Sequence, residues 1–330
     1  MTDPLSRLLQ ERDWLLADGA TATNLFNMGL PSARPPEFWN AESPQRVRDL
    51  YRGAVDAGSD LFLTNTFGGT ASRLRLHEAG DRVTELNRLG AEIAREVADS
   101  ADRPVIVAGS MGPTGEIMAP LGSLDHAGAV AMFHEQADAL KAGGVDLIWV
   151  ETFSALPELR AVAEAMLMAD MPWCVTFSFE AAGRSMMGVT PAQLAAEVER
   201  LMNPPLAFGA NCGVGAADLL RAVAGFGAAG SERPLIAKGN AGIPHFEDGH
   251  IHYDGTPGLM AEYALLARDL GVRIIGGCCG TMPEHLRAMR RALETRPRGT
   301  RPTLDVIAQR LDGFGGDQTT VAGTAQKRLS

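Results

Sequence analysis

This 330-residue chain predicts a (β/α)8 barrel of the TIM-barrel class. Three observations lead there: eight short aliphatic runs, eight stretches of helical period between them, and polar residues gathered at one end of the runs.

The runs are "WLLA" (14–17), "LFLT" (61–64), "VIVAG" (105–109), "LIWV" (147–150), "WCVTF" (173–177), "LAFGA" (206–210), "LIAKG" (235–239) and "RIIGG" (273–277). Each is too short for a helix, and none alternates strictly. That pattern suits strands buried on both faces of a parallel sheet. Between them, "SPQRVRDLYRGAVDAGSD" places Val47, Leu50, Tyr51 and Val55 on one helical face. "TELNRLGAEIAREVAD", "AVAMFHEQADALKAGG", "LPELRAVAEAMLMAD", "TPAQLAAEVERLM", "AADLLRAVAGFG", "TPGLMAEYALLARDLG" and "MPEHLRAMRRALE" read the same way. An open doubly wound sheet is the second choice. Against it, "DGATATN" after the first strand lacks the glycine pattern of a dinucleotide site.

Asp18-Gly19 follows strand 1, Asn65-Thr66 strand 2, Ser110-Met111-Gly112-Pro113 strand 3 and Glu151-Thr152 strand 4. Asn211-Cys212, Asn240-Ala241-Gly242 and Cys278-Cys279 follow strands 6, 7 and 8. In a barrel these points meet at the face where active sites lie. The barrel, a single domain, is expected over residues 1–295. Residues 296–330 hold no further strand; "PTLDVIAQRL" reads as a short helix and "GGDQTTVAGTAQKRLS" as a mobile tail.

The net charge of −10 argues against nucleic acid or an anionic membrane as partner. No apolar run approaches the roughly 18 residues that cross a bilayer. The polar start "MTDPLSRLLQERDW" is unlike a signal peptide, so the expected compartment is the cytoplasm. Small molecules are the expected partners, and association into a homo-oligomer is open.

The four cysteines, Cys174, Cys212, Cys278 and Cys279, are too few and too unevenly spaced for a disulfide framework. Cys174 lies inside a strand and reads as core. Cys278 and Cys279 are adjacent, so they converge only if the backbone leaves the strand. Gly276, Gly277 and Gly280 permit that. In "TMPE", Thr281 and Glu284 read as a capping box, so the pair sits between strand end and helix start. Cys212 holds the matching position before the helix that begins near Ala216. Three thiolates on one barrel face suit Zn²⁺ and leave a fourth tetrahedral position open, as catalytic sites do. Buried inert thiols and redox chemistry of the adjacent pair are the alternatives. A second group, His245, His250 and His252, reads as part of a small hairpin after strand 7 rather than as a metal site.

The motifs "ADGATATNL", "LTNTFGG", "GSMGPTGE", "GANCGVG", "GNAGIP" and "GGCCGT" resemble the zinc-dependent homocysteine S-methyltransferase family, most of all its bacterial betaine–homocysteine type, over about residues 13 to 295. The resemblance implies a (β/α)8 barrel with zinc on Cys212, Cys278 and Cys279. It implies that Asp18 and Glu151 receive the amino group of homocysteine, and that the amides of Gly19 and Ala20 lie near its carboxylate. Thr66 belongs to the same substrate-binding set. Asn240 matches a side-chain oxygen that can fill the fourth zinc position; its alternative is a turn residue. For Asp18 the alternative is a helix cap. Trp39, in "PPEFWN", matches a tryptophan of the betaine pocket, and an indole face suits an onium cation; the alternative is a hydrophobic plug. Gly68 stands where the betaine enzymes carry an aromatic residue.

The implied reaction moves a methyl group from a cationic donor to the homocysteine thiolate, giving methionine. Betaine is the favoured donor. S-methylmethionine, S-adenosylmethionine, dimethylsulfoniopropionate and a corrinoid protein are alternatives. From another class, a zinc-binding barrel without activity is the rival. An aldolase would need a lysine at the mouth, where Lys238 stands without a carboxylate cluster for Mg²⁺.

Overall fold

The computed structural model describes residues 3–312 apart from 181, 229, 248 and 249. Its strands are β1 (Leu15–Leu16), β2 (Leu61–Leu63), β3 (Ile106–Met111), β4 (Leu147–Phe153), β5 (Trp173–Phe177), β6 (Ala207–Asn211), β7 (Leu235–Gly239), β8 (Pro244–Glu247), β9 (His250–Tyr253) and β10 (Ile274–Gly277). Eight of them form one parallel sheet in the order β1-β10-β7-β6-β5-β4-β3-β2. The two ends of that order meet through Asp60, whose amide donates to the Leu16 carbonyl at 2.7 Å. Further up the same seam the Leu63 amide donates to the Asp18 carboxylate at 2.9 Å. A side chain thus takes the acceptor role that a neighbouring strand would play, and the sheet curls into a barrel.

The eight expected helices form at Pro44–Asp56, Val83–Asp99, His126–Ala142, Leu156–Ala169, Pro191–Val198, Ala216–Ala228, Pro257–Leu270 and Pro283–Thr295. Their ends follow local chemistry. Thr190 and Gln193 make a reciprocal capping box. Gly271, at φ +100°, ends its helix in the left-handed region. One boundary differs from expectation. Met282, not Thr281, is the N-cap of the last barrel helix, because Pro283 starts it and His285 Nδ1 accepts from the Met282 amide at 2.9 Å. Thr281 instead offers its carbonyl to the Ala20 amide and Asn24 Nδ2.

Alternate strand residues divide between two cores, as the period of two requires. Leu15, Leu61, Ile106, Leu147, Ile236 and Ile274 fill the barrel interior. Leu5 and Leu8 join them from a helix, Pro4–Glu11, that closes the N-terminal end of the barrel. Its first turn is fixed by Asp3, which accepts from the Ser6 amide at 2.8 Å. Cys174 lies in this interior core and is fully buried, which pushes its thiol up. The outward-facing residues pack under the helices in a larger shell.

β8 and β9 pair antiparallel, so "PHFEDGHIHYDG" is the expected hairpin. His245 and His252 face each other across it with ring centroids 5.9 Å apart. Beyond the barrel a helix spans Leu304–Asp312 and buries Ile307 and Leu311 against the outer shell. The expected tail from residue 313 lies outside the described residues.

Candidate metal centre

β6 ends at Asn211, and the next residue, Cys212, takes φ +60°. That is the left-handed region, which costs a non-glycine residue on the order of 1–3 kcal/mol unless its surroundings hold it there. Here the Cys212 amide donates to the Lys238 carbonyl at 3.0 Å, extending the β6–β7 ladder by one rung. Across β7, the Cys278 amide donates to the Gly239 carbonyl at 2.7 Å. Gly280, at φ +75°, then turns the chain away from the strand. Two loops from either side of β7 are brought together in this way.

The result is a cluster in which the Sγ atoms of Cys212, Cys278 and Cys279 lie within 4.8 Å of one another. Among the described residues it is the group of His, Cys, Asp or Glu side chains close enough to hold a metal. All three thiols are free. The Cys212 and Cys279 sulfurs are 3.8 Å apart. A tetrahedron with bonds of about 2.3 Å has edges of about 3.8 Å, so this pair is spaced as two thiolates on one zinc ion would be. Hydrogen bonds from Cys212 and then Cys278 hold the Cys279 thiol well below the usual range. Hydrogen bonding with Cys278 and then Cys279 pushes Cys212 up. A soft cation would take the three sulfurs as thiolates.

Asn240 adds a second feature suited to a cation. Its Nδ2 donates to the Gly213 carbonyl at 2.9 Å, while its Oδ1 is buried with no hydrogen-bond partner. An orphaned buried acceptor costs about 1–3 kcal/mol. Tyr253, at the end of β9, was not singled out by sequence. It packs so closely over Gly280 that a Cβ there would sit 2.4 Å from the tyrosine Cβ. Its hydroxyl reaches Cys279, so the hairpin roofs one side of the cluster.

Beneath the sulfurs lies a buried charged floor. Lys238 Nζ is 2.6 Å from Asp18 Oδ1 and 5.7 Å from the centre of the Trp149 ring. Glu151 Oε1 accepts from Ser110 Oγ at 2.5 Å. Burial raises the Glu151 carboxyl to about 7, against the opposing pull of Lys238. Burial likewise raises Asp18, again opposed by Lys238. A cavity of about 430 Å³ opens above, walled by Cys212, Cys278, Cys279, Glu151 and Lys238. Exposed Leu76 and His77 mark its mouth. The volume and mixed lining suit small ligands.

Not every residue expected at the site faces this cavity. Gly19 and Ala20 do, but the Ala20 amide already donates to the Thr281 carbonyl at 3.1 Å. A Cβ on Gly19 would sit 2.5 Å from that same oxygen, so only glycine fits. Thr66 is fully buried and ties Thr64 Oγ1 to the Ser110 carbonyl, while its neighbours Asn65 and Phe67 line the wall. Trp39 also stands away from the cavity. It packs in the outer core, 7% exposed, with the Arg46 guanidinium 5.3 Å over its ring. Pro36–Phe38 is a 3₁₀ turn leading straight into the helix Trp39–Glu42, and this geometry turns Glu37 inward to the cavity and Trp39 outward. Glu37, Arg73 and Lys238 are the charged lining residues that motif reading left unassigned.

A family model described as homocysteine S-methyltransferase matches residues 15–293. Methionine synthase of Mycobacterium leprae is 31% identical over 326 residues, covering 91% of this chain and 26% of that protein. Methionine synthase of Mycobacterium tuberculosis is 32% identical over 298 residues, covering 84% of this chain and 24% of that one. The chain therefore spans about a quarter of the length of these relatives. In fold it is similar to the metallated form of the homocysteine methyltransferase MmuM from Escherichia coli, with a TM-score of 0.72 and 24% identity over 88% of this chain and 99% of the other. The match runs from the first strand of the barrel to its last helix and takes in all three clustered cysteines, so the chain belongs to the homocysteine S-methyltransferase family.

Proposed function

We propose that this protein methylates the thiol of homocysteine to give methionine, using zinc held by Cys212, Cys278 and Cys279 and a small cationic methyl donor. The observation that carries the reading is the trio of sulfurs opening onto a cavity whose floor is charged. A metal site serving structure alone needs no such cavity. When bound, zinc supplies a deprotonated, still nucleophilic substrate sulfur at neutral pH.

The chain's own residues do the rest. Glu151 takes the substrate ammonium. Asp18 supports this from beneath through Lys238, which it holds at 2.6 Å. The Gly19 amide, at the wall, lies near the carboxylate end. Asn240 Oδ1, buried without a hydrogen-bond partner, would serve as the fourth zinc donor before substrate arrives. In the transfer the thiolate sulfur forms a bond to the methyl carbon as the carbon–nitrogen or carbon–sulfur bond of the onium breaks. The electron pair of that bond stays on the leaving atom, which departs neutral and needs no proton. Anion and cation thus become two neutral products, and a dry site favours such charge loss over water. Holding the three atoms in line is the protein's main task.

Betaine is the donor placed first, with S-methylmethionine, S-adenosylmethionine, dimethylsulfoniopropionate and a corrinoid protein as the alternatives. The seating of Trp39 in the core removes one argument for betaine and leaves Phe26 and Phe67 as the aromatic walls. The test incubates zinc-loaded protein with homocysteine and each donor and quantifies methionine. Turnover with one donor, lost on chelation and regained with zinc, is expected. Tight zinc and homocysteine binding with no methionine from any donor would leave the non-catalytic barrel as the answer.

A further inference from the structure

One wall of the cavity carries a pair of opposite charges that the metal centre does not use. Glu37 is 4% exposed, and its Oε1 accepts from the Gly68 amide at 2.6 Å. A Cβ on Gly68 would sit 3.0 Å from that oxygen. The carboxylate therefore lies in tight contact with the position a side chain at residue 68 would start from. Arg73 is half-buried on the same wall. Its Nε donates to the Pro113 carbonyl at 2.6 Å, and its guanidinium lies 5.3 Å over the Phe67 ring. One edge of the fork is thus fixed. Among the described residues, no acceptor meets its two terminal nitrogens. Glu37 and Glu158 are close enough to influence its charge but not to form an ion pair with it.

We propose that Glu37 and Arg73 form the methyl-donor subsite and read the donor as a zwitterion, Glu37 facing the onium centre and Arg73 gripping a carboxylate. A planar fork with one edge tethered presents its other edge for bidentate carboxylate recognition. A buried carboxylate beside the cavity gains its partner when a cation arrives. The Phe67 ring, with the Arg73 guanidinium over it, lines the same cavity. The ligand class is a small onium carboxylate. The inference rests on the methyl-transfer reading, and it adds which donors are accepted and by which residues.

The test pairs residue changes with a truncated ligand. Dimethylsulfoniopropionate and trimethylsulfonium share a sulfonium head, and only the first has a carboxylate. Their affinities are measured by calorimetry on zinc-loaded, homocysteine-bound protein. The wild type is expected to prefer the carboxylate about 10- to 100-fold, the range of a charge-assisted hydrogen-bonded pair. Arg73→Gln should erase that preference by weakening dimethylsulfoniopropionate alone, and Arg73→Lys should restore part of it. Glu37→Gln should weaken both ligands alike. Equal binding of the two ligands by wild type, no binding of either, or equal losses for both in Arg73→Gln would overturn the proposal. Zinc content and homocysteine affinity unchanged in each variant show that the fold is kept. Where Arg73→Gln fails that check, Arg73→Lys carries the comparison. An Arg73-dependent preference without any methionine formed would sink methyl transfer and keep the subsite. Methionine formed equally well from both sulfonium salts would do the reverse.

Discussion

Lys238 and Asp18 form a buried ion pair 2.6 Å long between the end of β7 and the loop after β1. The other oxygen of Asp18 accepts from the Leu63 amide. One carboxylate therefore closes the barrel seam and neutralises the floor beneath the sulfurs. Both of its oxygens are committed within the protein, whereas Glu151 Oε1 is held by Ser110 Oγ and its carboxylate lines the cavity.

Breaking this pair from one side should be costly. Lys238→Met leaves Asp18 buried and uncompensated, an effect on the order of 3–5 kcal/mol. Adding Asp18→Asn removes the stranded charge, so the double variant should recover more than half of the loss. Denaturant unfolding of the two single variants and the double variant checks this. Additive losses would mean that the two residues act independently.

Glu151 predicts a pH dependence of substrate binding. Its carboxyl stands at about 7, raised by burial. Only the ionised form attracts an ammonium group, so homocysteine should bind better as pH rises through 7. Below 7 the affinity should fall by roughly tenfold per pH unit from this group alone. Glu151→Gln should bind weakly and lack that component of the slope. Calorimetric titrations from pH 6 to 8 on both proteins give the comparison, and parallel slopes would remove Glu151 from the role.

Replacement of Cys212, Cys278 or Cys279 by Ser should lower zinc affinity by more than about 100-fold, since a ligand matters more than the surrounding groups that typically contribute 10- to 100-fold. Elemental analysis after dialysis against a mild chelator reads this directly. Cys174→Ser, in the barrel interior away from the cluster, should keep its full metal content. Retention of stoichiometric zinc by the triple variant would place the metal elsewhere.

Asn240→Ala removes the oxygen that has no other partner. Zinc affinity in the absence of homocysteine should drop by about 10- to 100-fold. With homocysteine present the difference should shrink, because the substrate sulfur takes the vacated position. Cobalt-substituted protein gives a second readout. Its visible bands should shift on adding homocysteine in the wild type and start from a different position in the variant.

The barrel was legible because its signal is local and repeated: each aliphatic run and each helical stretch stands in the sequence by itself. The three cysteines were legible through their place after strands 6 and 8. Pairings across long stretches were not. Asp18 and Lys238 are 220 residues apart, and although Lys238 reads as a lysine at the barrel mouth, nothing in "LIAKG" tells that Asp18 is its partner. The identity of Trp39 suggests an onium site, whereas the backbone turn at Pro36–Phe38 decides which neighbour lines the cavity, and that neighbour is Glu37, two residues earlier. A carboxylate between two prolines and two aromatics, on a loop above a barrel, was the available signal. The helix Pro4–Glu11 does show an apolar face, with Leu5, Leu8 and Leu9 at i, i+3, i+4 spacing, but its eight residues lie ahead of the first strand and outside the strand–helix alternation; Leu5 and Leu8 seal the end of the barrel opposite the cluster.

The sulfurs stand just past the ends of β6 and β10, the two neighbours of β7, and β7 runs on between them into Asn240 and the hairpin. An ion held by Cys212 on one flank and Cys278 and Cys279 on the other would arch over that strand like a bridge over a road. Stripping the ion would unlatch the bridge while the road, hydrogen-bonded on both sides, stays in place. The roof, where Tyr253 packs on Gly280, should come loose first. The speed at which a protease nicks the β8–β9 hairpin should therefore serve as a gauge of metal occupancy.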